Sequence, residues 1–99
     1  MNRPITTTDR VQVLYEGAFF ISEKTEQIHH IDSIMSNKDM SEEKKEQALK
    51  AVIHESTKNN PTNRILLDCF FSSCENYYPD HNFYWYDLGF PHKKATYIL

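Results

Sequence analysis

The chain has 99 residues, of which 39% are hydrophobic and 25% charged, and it carries a net charge of −3. A chain of this size makes one domain and buries about two-thirds of its unfolded surface, and so ordinary a composition excludes global disorder. The mild negative charge argues against a dedicated nucleic-acid binder, which needs a concentrated basic surface, and is too small for an acidic DNA mimic.

No apolar run approaches the roughly 20 residues of a membrane span. The opening "MNRPITTTDR" lacks the apolar stretch of a signal peptide, so the expectation is a cytoplasmic protein. Two cysteines, Cys69 and Cys74, fit a reducing compartment better than a disulfide framework. Lysine outnumbers arginine eight to three, and Asn, Ile and Tyr are frequent, a compositional hint of an AT-rich bacterial or phage genome.

The first predicted element is a helix over about residues 9–35. Val11, Leu14, Ala18, Ile21, Ile28 and Met35 recur at helical spacing, with Thr25 and Asp32 on the same line and Phe20, Ile31 and Ile34 widening the apolar face. Thr7 or Thr8 can cap it, and Asp9 suits the first turn. Gly17 is its weak point, at about 1 kcal/mol relative to Ala. A straight helix of this length spans about 40 Å, against about 25 Å for each of the two that follow. Either it bends at Gly17, or a second copy of the chain covers the overhang. The rival reading is an N-terminal strand at about 10–16, since Val11, Val13 and Tyr15 alternate, which would make the fold α+β.

The second helix is predicted over about 41–57, with Ser41 as cap and Glu42 and Glu43 in the first turn. Ala48, Leu49, Val52 and Ile53 make a narrow apolar stripe. Lysines 44, 45, 50 and 58 alternate with Glu42, Glu43, Glu46 and Glu55, which reads as a solvated face.

The third helix is predicted over about 61–77, with Asn60 as cap and Pro61 at the first helical position. "ILLDCFFSSC" is apolar almost all round: Ile65, Leu66, Cys69 and Phe70 on one side, Leu67, Phe71 and Cys74 on the other. Such a helix is covered on both sides.

Residues 78–99 hold the aromatic remainder. "NFYWYD" and "KATYIL" alternate like strands, with "LGFPHK" as the turn. The fold expected is therefore mainly α, three helices in a bundle-like domain over residues 1–99 with an aromatic C-terminal β-hairpin or extended arm.

The chemistry-bearing residues give little. Cys69, Cys74, His81 and His92 read C-x4-C-x6-H-x10-H, resembling a structural zinc site with too long a first gap. Residues five apart on a helix point about 140° apart and do not grip one ion. The better reading is two buried small apolar side chains and no cofactor. Glu26 and His29 form one E-x-x-H where a di-iron bundle needs two. There is no nucleophile elbow and no phosphate loop, so an enzyme is not expected.

A protein partner is the best-supported expectation. Tyr and Trp bury large area while keeping a polar handle, and they are enriched at binding hot spots. The segment "YYPDHNFYWYDLGF" carries more aromatic surface than one helix face requires. The predicted partner-binding residues are Tyr77, Tyr78, Tyr84 and Tyr86, rimmed by Asp80 and Asp87, which favour a basic partner surface. One alternating set, Phe83 and Trp85 or else Tyr84 and Tyr86, would close the core over Leu67 and Phe71, the tyrosines being better suited to exposure. The expected function is a small non-catalytic protein-binding module, an inhibitor or adaptor of the immunity, host-takeover or anti-defence type. The alternative is a small metal-binding or nucleic-acid-associated module using Cys69, Cys74, His81, His92 and the Lys93–Lys94 pair.

Overall fold

The computed structural model describes residues 6–73, which form four helices and, among those residues, no strand. They are α1 (Thr7–Phe20), α2 (Thr25–Ser36), α3 (Glu42–Thr57) and α4 (Pro61–Ser73). The mainly helical class expected from the sequence is present. The C-terminal hairpin and the end of the third predicted helix lie outside the described residues. Among the described residues no helix is long and apolar enough to cross a membrane.

The predicted helix over 9–35 is two helices. The break is not at Gly17 but at residues 21–24. Ile21 leaves helical geometry at φ −98°, ψ 4°, its N–H still donating to the Gly17 carbonyl. The Ser22 hydroxyl then donates to the Ala18 carbonyl at 2.7 Å, satisfying one of the acceptors a helix end leaves open. α2 begins without a side-chain cap at Lys24, but Gln27 reaches back to accept from the Glu23 N–H at 3.3 Å. The periodicity hid this turn because Ile21 and Ile28 are seven residues apart, about two helical turns, so the apolar register is the same on both sides. Thr25 and Asp32, placed on the apolar line by that register, are exposed.

The alternating residues 10–16 lie within α1, so the strand reading is overturned. Helical period wins because Val11, Leu14 and Ala18 share one buried face. The cap of α1 is Thr6, one residue before the candidates. Thr6 and Asp9 form a reciprocal box, each backbone N–H donating to the other's side chain at 3.1 Å. The predicted caps of the later helices hold. Lys44 N–H donates to Ser41 Oγ at 3.3 Å, and Asn63 N–H donates to Asn60 Oδ1 at 3.0 Å.

α1 packs against all three other helices and most extensively against α3. The core joins Val11, Leu14 and Ala18 of α1 and the adjoining Ile21 to Ile31 and Ile34, Leu49 and Ile53, and Leu67 and Phe71. In α4 the two sides are buried unequally, with Ile65 and Phe70 half-buried on the outer one. Leu67 and Phe71 are inaccessible, whereas Leu66 is 40% exposed and Cys69 is exposed. The segment expected to cover that second side lies outside the described residues. α1 and α3 cover the Leu67 side.

Gly17 has a packing role. A Cβ built there would stand 2.9 Å from Leu67 Cδ1 and 3.4 Å from Phe71 Cε1. The missing side chain is what lets α4 approach α1. Gly17→Ala gains about 1 kcal/mol of helix propensity and spends it displacing the buried Leu67 methyl, so its melt should move little. Gly17→Val cannot be absorbed in this way and should cost about 1–3 kcal/mol. Chemical denaturation of the two variants checks this. Equal stabilisation by both would remove the close-packing role.

α3 turns differently from its predicted stripe. Leu49 and Ile53 are buried with Glu46 and Thr57, while Ala48 and Val52 are half-buried. Glu46, expected on the solvated face, is 7% exposed. It is there because two cations meet it. Arg10 of α1 donates through Nε to both carboxylate oxygens at 3.2 Å, and Lys50 Nζ lies 2.8 Å away. Thr57 donates to the Ile53 carbonyl, and Asn63 donates through Nδ2 to the Ser56 carbonyl at 3.0 Å, so these buried polar groups also have partners.

Candidate functional site

The described surface carries one ridge of large apolar side chains, where α1 ends beside α4. Successive helical residues turn by about 100°, which puts Phe19 on the same face as Gln12 and Glu16 and well away from Leu14. Phe19 is accordingly 48% exposed. Phe20, at the flank of the same turn, is 52% exposed. Its assignment to the apolar face of the first helix is therefore corrected: the ring leans toward α4 and stacks on Phe70, centroids 5.6 Å apart with 28° between planes. Leu66 lies one turn before Phe70 on α4 and extends the ridge. Tyr15 closes the other end, its ring 6.4 Å from that of Phe19.

Tyr15, Glu16, Phe19, Phe20 and Phe70 line an open concavity of about 380 Å³. Its rim is acidic. The Tyr15 hydroxyl donates to Asp32 Oδ1 at 2.7 Å. That bond raises the phenol pKa above its ordinary value, with smaller contributions from partial burial and from the Asp32 and Glu16 charges. Glu16 accepts from the Gln12 amide at 2.6 Å. The site is thus an apolar ridge with two carboxylates beside it.

Two further concavities lie elsewhere. A groove of about 730 Å³ runs between α2 and α3, floored by Ile34, Met40, Ala48, Ala51 and Val52. A more polar hollow of about 580 Å³, including Glu23, Glu26, Glu55 and Asn60, lies where α2 and α4 begin and α3 ends. Among the described residues no group of three or more His, Cys, Asp or Glu side chains could hold a metal ion.

The sequence-predicted partner-binding residues Tyr77, Tyr78, Asp80, Tyr84, Tyr86 and Asp87 lie outside the described residues. So do Cys74, His81 and His92. Of the cysteine and histidine set only Cys69 lies among the described residues, where it stands exposed on α4 and is not the buried small side chain expected. The ridge was missed because its rings come from two elements 50 residues apart, Phe20 and Phe70. A local signal existed all the same. An aromatic residue at 19 falls on a face otherwise marked by Gln12 and Glu16.

Comparison of the chain with protein-family models, with curated proteins and with solved structures finds no match.

Proposed function

We propose that the chain is a small non-catalytic protein-binding module that docks on a larger protein as an inhibitor or adaptor. The observation that supports this reading is the ridge Phe19–Phe20–Leu66–Phe70, with two half-exposed phenylalanines side by side. Rings of this size carry the area that makes a hot spot, and a contiguous apolar patch marks an interaction surface more often than scattered residues do. The partner presents an apolar cleft edged by basic residues. Glu16 and Asp32 set its register and speed its arrival more than they add affinity. In the same proposal, the tyrosines and acids at 77–87 extend this aromatic, acid-rimmed character.

Phe19→Ser tests it with little risk to folding, because a surface change of this kind usually stays within about 0.5 kcal/mol. Co-purification from the native host, compared between wild type and variant, should lose one basic partner while the thermal melt is retained. Phe20→Ser should do the same with a small loss of stability from the Phe70 stack. Capture of an identical set of proteins by wild type and both variants would sink the ridge as the binding surface.

A further inference from the structure

We propose that α3 is a homodimer interface, in which a second copy of the chain lays its α3 antiparallel across Lys44, Ala48, Ala51 and Glu55. The surface is independent of the aromatic ridge. These four residues are separated by four, three and four positions, which keeps them within about 60° of one another on the helix. They face away from buried Leu49 and Ile53 and border the apolar groove of Met40, Ala48 and Val52. Alanine at both central positions lets a second helix approach toward the short end of the 8–10 Å range.

Two observations on charge identify a second copy as the occupant. Lys44 and Glu55 are exposed and neither enters an ion pair among the described residues, whereas Lys45 pairs with Glu42, and Lys50 and Arg10 pair with Glu46. Both also carry the wrong sign for their own helix. Lys44 sits in the first turn of α3, where the helix dipole favours acids, and Glu55 sits in the last turn, where it favours bases. Two exposed charges set against their local field, eleven residues apart on one face, form a self-complementary pair for an antiparallel copy of the same helix.

A two-fold axis supplies the reason. In an isologous interface, residue i meets residue j and j meets i. With the axis level with the midpoint between Leu49 and Lys50, Lys44 stands opposite the partner's Glu55, and Ala48 stands opposite the partner's Ala51. Each charge pair then occurs twice, once at either end of the interface. The same register sets Gln47 against the partner's Val52 and Glu43 against the partner's Ser56, so no like charges oppose. In the dimer the helix dipoles run antiparallel, and each misplaced charge lies beside the end of the partner helix that it complements. Burial of Val52 and Met40 supplies adhesion, and the charge pairs supply register.

Sedimentation velocity of the full chain at rising concentration is the measurement. The wild type should dimerise, and the dimer should weaken with added salt. Lys44→Glu and Glu55→Lys should each weaken it by about tenfold or more, since each sets like charges against one another. The double variant Lys44→Glu with Glu55→Lys should restore it. Both single changes correct the sign against the helix dipole, so each should hold or slightly raise the melt of the monomer while weakening the dimer. A purely structural role would not separate those readouts in that way. Ala51→Glu should give a folded monomer. A wild type that stays monomeric at every concentration overturns the proposal and leaves the groove to a different protein. A dimer insensitive to the charge changes, or a double variant that does not restore it, overturns the register. Loss of the dimer in Phe19→Ser would move the interface to the ridge and overturn the assignment to α3.

Discussion

Phe71→Ala should destabilise the fold by about 3–5 kcal/mol, near the top of what a single truncation does. Truncation five residues earlier on the other face, Leu66→Ala, should cost about 1 kcal/mol or less, since much of that side chain already meets water. Phe71 is wholly inaccessible and lies against α1 at Gly17. The cavity it leaves cannot close easily. At Gly17 there is no side chain to swing in, and on its own helix Phe70 is held in the stack with Phe20. Against a total stability of about 5–15 kcal/mol, a loss of that size would leave a marginal fold at 25 °C. Urea denaturation of the two variants decides the matter. If Leu66→Ala proves the more damaging, the buried face of α4 is the opposite one.

That contrast shows where the sequence is readable. In α4, composition announces a helix, and Asn60 with Pro61 announces its start. Composition does not announce which apolar side is inward, because Leu66 and Leu67 are the same residue type in adjacent positions. The choice is made by Gly17, 50 positions earlier, which opens the space that Leu67 and Phe71 fill. Ser41 and the acids of α3 were legible because capping is a local interaction. The turn at residues 21–24 was not, because its length preserved the heptad spacing across it, and Ser22 ends α1 through a hydroxyl bond that no pattern of apolar residues reports. The candidate site divides in the same way. Phe19 is visible to a count of helical angles, while the stacking of Phe20 on Phe70 exists only once α1 and α4 are packed. Lys44 and Glu55 were in view as members of an ordinary solvated face. Their opposition to the helix dipole gains meaning from knowing which other charges of α3 are already paired.

Glu46 is the residue whose role the sequence most conceals, and Glu46→Ala should cost about 2–3 kcal/mol. The carboxylate joins α1 to α3, bound by Arg10 through Nε and by Lys50 four residues on. The lysine pair alone is a small term, about 0.3–0.5 kcal/mol as an i to i+4 contact. The arginine contact is the larger one. Both carboxylate oxygens accept from a single guanidinium N–H group across the helix interface, and hydrogen bonds to charged groups contribute about 1.5–3 kcal/mol. Removing one partner of a fully buried pair costs about 3–5 kcal/mol because a charge is stranded. Here the stranded groups are the cations, whose side chains keep 29% and 20% exposure and can turn toward water, which lowers the penalty. Arg10 also retains its bond to Thr7 Oγ1 at 3.2 Å. Glu46→Gln keeps the volume and one acceptor and should cost less than Glu46→Ala. Arg10→Met strands the buried carboxylate with Lys50 alone and should cost at least as much as Glu46→Ala. A double-mutant cycle on Arg10 and Glu46 should return a coupling of about 1 kcal/mol or more that 0.5 M salt reduces only in part, as expected for a pair shielded from solvent. A coupling near zero would mean that Glu46 is held inward by the packing of α3 alone. The α1–α3 interface would then owe its geometry to Leu14, Leu49 and Ile53 with no contribution from charge.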